Sequence, residues 1–345
     1  MISERILTCI KIMAVCSFLL APGCAQQAEQ PPKPQAAVEK ETPEAAPAEE
    51  VTIALKFIPQ QSTTYRLITE GIRTLRFEGS FSDKPELKGG SNQSRVEMVF
   101  NQQIQSVDDK GNAVAKITIK DLKCFFTQKD KPVLDFDSSR ERDKDSQLTK
   151  LIGRDYSIKI APTGQVTEVI NAEQARVSLA ETSIAGKAAL KLLSEDAIKQ
   201  RHSVSALPSA EKSRLSIGQT WSTTQSLSFD IMGSKSYEKI YTISEIKDQT
   251  DRQIAVAEMK ALPAAQGPQN PEEQAARGFL DMFDNTETYT GQLELDLTTG
   301  RIEKYYEQLK SDWVAIEPSA EQQPDKEPGV LKMGAVRMYK LESVD

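Results

Sequence analysis

Alternation of apolar and polar residues dominates the chain from residue 52 onward. Ile158 and Ile160 alternate with polar neighbours, as do Leu293, Leu295 and Leu297, and a period of two marks strands with one wet face. Beside these runs, Thr163-Gly164 and Thr299-Gly300 each supply a glycine for the positive φ of a tight turn. Longer runs flank turn-forming clusters. Val96 to Val107 and Ala113 to Phe125 surround Asp108-Asp109-Lys110-Gly111-Asn112, while Tyr237 to Ile246 and Gln253 to Leu262 surround Lys247-Asp248-Gln249-Thr250-Asp251, so each predicts a long hairpin. In both return strands the apolar parity shifts by one residue, from Ile117 and Ile119 to Leu122 and Cys124, and from Ile254 and Val256 to Met259 and Ala261. A β-bulge produces such a shift, which places one near Asp121 and one near Glu258.

These features recur in order, and so do the segments that lead into them, Leu55 to Ser62 with Tyr65 following and Leu215 to Trp221. Self-similarity of this kind predicts two related antiparallel β units, residues 52–170 and 207–345. Between them, residues 171–206 read as a helical insert. Asn171 is a candidate N-cap, alanine, leucine, lysine and glutamate dominate as far as Gln200, and Gly186 marks a weak point that allows two shorter helices. Val177, Ala180, Ile184, Ala188 and Leu192 give the insert an apolar stripe expected to pack on the sheet. Asp281 to Thr288 suggests a short helix, Ala264 to Gln274 a loop, and Val330 to Leu341 a closing strand. The fold class is therefore β-rich α+β, as a curved sheet, half-barrel or sandwich.

The first 23 residues depart from this pattern. Arg5 and Lys11 precede an apolar run from Ile12 to Ala21, the order of a secretory signal peptide. A bilayer-spanning helix needs roughly 20 apolar residues, so export followed by cleavage is expected. Leu20-Ala21-Pro22-Gly23-Cys24 resembles the lipobox of bacterial lipoproteins, with Ala21 where that motif usually has leucine. The resemblance implies lipidation of Cys24 and anchoring to a membrane; an ordinary signal peptide cut near Ala25 is the alternative. Ala25, standing where an inner-membrane retention signal has aspartate, favours an outer-membrane location in a bacterial cell envelope. Residues 24–51 are rich in Pro, Glu, Gln and Ala and hold no aromatic residue, a composition expected to stay disordered as a tether. Cys9 and Cys16 leave with the signal, so Cys124 stands alone and is expected to be a buried apolar residue.

Charge and candidate chemistry narrow the function more by exclusion than by assignment. The formal net charge is −7, with no basic patch, which argues against a nucleic-acid partner. A single histidine, His202, sits at the polar end of the insert. A charged surface residue is the expectation there, with a serine-histidine-acid site as the alternative. One histidine and one thiol are too few for the common zinc ligand sets. The acidic runs Asp135, Asp137, Glu141, Asp143, Asp145 and Asp281, Asp284, Glu287, Glu294 lack the glycine-bearing order of a calcium loop. No cofactor fingerprint is present, and only Trp221 and Trp313 are available as sugar platforms. One face of the sheet is expected to gather Phe57, Tyr65, Leu67, Phe100, Ile117, Ile119, Phe125, Ile158, Ile160, Leu227, Phe229, Tyr241, Ile243, Leu293 and Leu295. Either the helix covers that face as a plain core, or it leaves a cavity for an acyl chain.

Leu207-Pro208 followed by Gly218-Gln219-Thr220-Trp221, and Leu55-Lys56-Phe57 with Pro59 and Tyr65, are similar to recurring features of uncharacterised exported domains from planctomycete-like bacteria. Those domains usually carry glycine where this chain has Gln60. The resemblance implies no activity and no functional residues. In architecture alone, a curved antiparallel sheet on a helix resembles envelope carriers of lipids and lipoproteins. The expectation is thus a membrane-tethered, non-enzymatic binding or scaffold domain, with a carrier of a hydrophobic ligand as one specific form of it. A protein-interaction module of envelope assembly and a hydrolase are the other two readings.

Overall fold

The turn at Asp108 shows how local chemistry sets the hairpins. Its carboxylate accepts hydrogen bonds from the backbone N–H of Lys110 and of Asn112 and from the Asn112 side chain. The Asn112 contact leads in holding the Asp108 carboxyl down to about 2. Gly111 takes φ +79° beside it, so the chain reverses where the sequence demands.

The computed structural model describes residues 50–84, 87–229, 233–264, 283–317 and 327–344. The expected signal segment, Cys24 and nearly all of the expected tether lie outside these, as do residues 265–282 with most of the expected Ala264 to Gln274 loop. The strands are β1 (Val51–Thr52), β2 (Ser62–Glu78), β3 (Gly90–Val107), β4 (Ala113–Gln128), β5 (Lys131–Asp137), β6 (Asp155–Ile160), β7 (Val166–Ile170), β8 (Arg214–Leu215), β9 (Thr220–Ser228), β10 (Ser234–Gln249), β11 (Arg252–Pro263), β12 (Asp284–Asp296), β13 (Arg301–Ile316) and β14 (Val330–Ser343). Twelve of them form one antiparallel sheet in the order β7-β6-β4-β3-β2-β14-β13-β12-β11-β10-β9, with β5 on β4, while β1 and β8 pair separately. Two meanders therefore run in the same direction of winding and meet where β14 pairs β2. The predicted closing strand is this central seam and lies on no edge. Asp284 to Thr288, expected as helix, belongs to β12. The threonines and Tyr289 there favour a strand flanked by two long neighbours.

The meanders share fine structure. In the first lead-in, Gln60 N–H donates to Ile104 O at 2.8 Å and Ile104 N–H to Gln61 O at 2.9 Å; in the second, Gly218 N–H donates to Ile243 O at 2.8 Å and Ile243 N–H to Gln219 O at 3.1 Å. Each isoleucine is followed by a bulge, at Gln105 and at Ser244. Bulges also follow both turn glycines, Gly164 and Gly300, at Thr167 and Glu303. The bulge expected near Asp121 is present, at Lys120. That expected near Glu258 is not, because β11 pairs β12 without interruption from Ile254 to Lys260. Ala255 and Ala257 hold the inner parity there, and Ile254 and Val256 are buried on the opposite face, so the apparent parity shift came from alanine's small size.

Gln60 (φ +68°) and Gly218 (φ +84°) occupy matching left-handed positions. A Cβ on Gly218 meets nothing within 4 Å, which isolates the backbone term. Gly218→Ala is expected to cost about 1 kcal/mol, and Gln60→Gly to gain less than about 1 kcal/mol because glycine also loosens the unfolded chain. Chemical denaturation of both variants checks the pair; opposite signs are the expected result.

The insert folds as α1 (Ala172–Arg176), α2 (Ile184–Leu192) and α3 (Glu195–His202). Breaks fall at 177–183 and at 193–194, and Gly186 lies inside α2 against the carbonyl of Ala180. Serines start the last two helices: Ser183 Oγ accepts from Gly186 N–H and Ser194 Oγ from Ala197 N–H, satisfying first-turn donors. Asn171 precedes α1 but makes no side-chain cap. Because the first break resets the helical phase, Val177, Ala180 and Ile184 of the expected stripe are exposed; Ala172, Ala175, Ala189, Leu193 and Ile198 are among the positions buried instead.

Candidate functional site

Inner-face side chains of strands far apart in the sheet touch, so the sheet curls around an interior. Tyr241 Oη on β10 lies 3.3 Å from Tyr305 Oη on β13, Tyr289 Oη on β12 donates to Gln225 Oε1 on β9 at 3.0 Å, and Arg337 on β14 donates to Ser228 O at the end of β9. Into this interior runs the segment after α3. Val204 N–H donates to Gly164 O, Trp221 Nε1 to Ala206 O, and Tyr339 Oη to Arg201 O. The last bond satisfies a carbonyl that the end of α3 leaves unpaired.

His202 closes one end of the interior. It is 6 % exposed, with Nε2 2.7 Å from Tyr156 Oη and its ring edge-on to Phe100 at 4.7 Å. The expected surface charge is thus overturned. Burial, with the charge of Arg201 as the lesser cause, pushes its pKa well below the ordinary histidine value and keeps the ring neutral. No carboxylate bonds it among the described residues. The neighbouring Ser203 Oγ instead accepts from Val166 N–H, so the serine-histidine-acid arrangement is not assembled.

Beyond Arg201 the interior opens into a cavity of about 820 Å³, inside the usual range of roughly 300–1,000 Å³ for ligand pockets. Leu67, Val96, Leu192, Leu227, Leu309 and Ala335 supply apolar wall. Gly71 lies opposite Arg337 across the β2–β14 seam, and a Cβ there would meet only Ser94 Oγ, at 3.0 Å. The missing side chain leaves part of this space.

The floor is polar, which the apolar-face expectation missed. Lys239, 0 % exposed, donates to Glu307 Oε2 at 3.0 Å, Gln225 Oε1 at 2.8 Å and Ser205 Oγ at 2.7 Å, while Tyr305 Oη donates to the same Glu307 oxygen at 2.7 Å. Burial raises the pKa of Tyr241, Tyr289 and Tyr305, and Glu307 adds to it, so these phenols stay protonated as donors. A signal existed in the sequence: Lys239 stands on the apolar parity of Tyr237, Tyr241 and Ile243, and Glu307 on that of Tyr305, Leu309 and Trp313.

Other candidates fall elsewhere. Trp221 stacks on Tyr241 at 5.2 Å and Trp313 meets Phe229 edge-on at 5.5 Å; both are core residues and not sugar platforms. Cys124 is 1 % exposed, and burial pushes its thiol up to about 12. In the first acidic run Arg140 bridges Asp135 and Asp143, and the Arg140 hydrogen bond leads in lowering the Asp135 pKa. In the second, Glu287 faces inward and bonds Lys235 at 2.7 Å, Glu294 lies on the opposite face, and Asp281 is outside the described residues. Burial pulls the Glu287 pKa up, but hydrogen bonds led by Lys235 outweigh it and hold the carboxyl below its usual value. Phe125 points away from the interior, and Phe126, one residue on, lines the cavity.

No curated protein matches the chain. A solved structure described as lipid-protein interactions in lipovitellin is similar at a TM-score of 0.38 and 12 % identity, covering 84 % of this chain and 26 % of that one. The chain thus spans about a quarter of that protein's length. A family profile matches residues 110–302, from the β3–β4 turn through the insert to the start of β13 and so more than half of the sequence, and the chain belongs to the family of unknown function DUF6263.

Proposed function

We propose that this chain is a non-enzymatic binding protein that takes a long hydrophobic or amphiphilic molecule into the interior of its curled sheet. The cavity of about 820 Å³ carries the reading. Its apolar wall offers burial at about 25 cal/mol per Å² to a chain leaving water, and its rigid strands need little reordering to receive one. The polar floor supports binding over catalysis, since the Lys239 charge is spent on Glu307 and the tyrosines remain protonated. Native mass spectrometry and lipid extraction of the full chain purified from envelopes test this. A bound amphiphile is expected from wild type and not from Gly71→Phe, whose ring fills the cavity from β2. Failure of the wild-type protein both to retain an amphiphile and to take up a neutral apolar probe overturns the reading.

The same proposal has the domain work from a membrane surface, anchored by lipid on Cys24, with the tether giving it a reach of about 30 Å. The charged-apolar-small order of residues 1–24 supports this. Cells fed a clickable fatty acid are expected to label the wild-type chain and leave Cys24→Ser dark; equal labelling of both rules the anchor out.

A further inference from the structure

The charge of the cavity wall specifies its ligand further. Arg73, Lys191, Arg201 and Arg337 line it, against the carboxylates of Glu70 and Glu307. Both carboxylates are already neutralised, Glu70 by Arg95 at 3.4 Å and Glu307 by Lys239 at 3.0 Å. Among the described residues, two guanidinium groups have only neutral partners. Arg201, 7 % exposed, donates to Tyr156 Oη and to Leu192 O at the end of α2. Arg337 donates to Ser228 O and lies over the Phe229 ring at 5.1 Å.

Two such guanidinium groups lining one cavity stand out in a chain whose net charge is −7. Partly buried charge without a counter-charge is costly. Arg337 registers that cost: burial, and then the neighbouring charge of Arg73, pull its pKa below the usual arginine value. Facing Arg337 across the seam is Gly71, so β2 sets no side chain opposite it at that register position. Leu309 on β13 is its neighbour on the other side, and Leu227 and Leu67 belong to the same wall.

We propose that the ligand is an anionic amphiphile, a carboxylate or phosphate on a long alkyl chain, with its acid group held by Arg337 and its chain laid along the leucine wall. Planar guanidinium donors match both acid groups in bidentate geometry, and Arg201 adds favourable field at longer range. This rests on the cavity being the binding site, and its test separates the two claims.

The full chain is titrated calorimetrically with dodecanoate, dodecyl phosphate and dodecanol, probes that share a chain and differ at the head. Both acids are expected to bind about 10- to 100-fold tighter than the alcohol, the scale of hydrogen bonds to a charged group. The tighter acid identifies the head group. Arg337→Gln is expected to bring the acids down to the level of dodecanol while dodecanol binding stays unchanged, which also reports that the cavity is intact. Arg337→Lys should retain part of the preference. Equal affinity of acids and alcohol in wild type, or an acid preference that survives Arg337→Gln, overturns the proposal and leaves the cavity reading standing. Binding of none of the three probes removes the cavity reading itself.

Discussion

Glu307→Leu is expected to destabilise the protein by about 3–5 kcal/mol, the usual cost of stranding one partner of a buried ion pair. Lys239 has no exposed surface, so its ammonium cannot turn to water when Glu307 is lost. Gln225, Ser205 and Tyr305 remain in reach, but neutral groups do not replace a carboxylate's charge in a low-dielectric interior. The double variant Lys239→Met with Glu307→Leu is expected to recover most of the loss, because an apolar pair of similar size carries no desolvation penalty. Urea denaturation of wild type, both single variants and the double variant gives the coupling directly. A single-variant cost under about 1 kcal/mol, the range of solvated surface pairs, means the pair is not buried as described.

Acid is expected to weaken the fold before carboxylates ordinarily titrate, through His202. Its folded-state pKa is depressed by burial below the ordinary 6.5, so the neutral ring is the form the fold accepts. Above pH 6.5 both folded and unfolded chains carry it neutral and nothing is lost. As pH falls through 6.5 the unfolded chain takes up a proton that the folded chain refuses. Stability then drops by up to about 1.4 kcal/mol per pH unit until the folded pKa is reached. The groups facing the ring are Arg201, whose charge opposes protonation, Tyr156 and Phe100, and no carboxylate bonds it among the described residues. His202 is the chain's one histidine, which makes the measurement clean. Denaturation midpoints between pH 7 and pH 5 are expected to fall for wild type and to stay nearly flat for His202→Gln, which keeps a hydrogen-bonding group beside Tyr156. A wild-type profile as flat as the variant's places the histidine in water.

These two groups also divide what sequence could show from what it could not. Hairpins were legible because their causes are local: the alternation of Ile158 with Ile160 and the glycine of Thr163-Gly164 act within a few residues. The same holds for the repeated lead-ins, where Gln60 and Gly218 mark matching turns. Helical phase was less legible, since one break at 177–183 moved Val177 and Ile184 from core to solvent. Alanine misled in β11, where its small side chain fills inner positions that alternation assigns to larger residues.

The sequence by itself determined the strands, most of their turns, the recurrence of one hairpin pattern and the burial of Cys124 as an apolar residue. Tertiary structure alone decided which strands meet across the interior. Lys239 and Glu307 are 68 residues apart, and Tyr156 and His202 are 46 apart. Each pair forms only because bulged, twisted strands curl the sheet until its inner face meets itself and the insert. Burial of a histidine, the pairing of a lysine and the cationic wall around Arg337 follow from that curvature. No period of two or of 3.6 along the chain encodes it, because the energy that sets it is summed over twelve strands and the helices packed inside them.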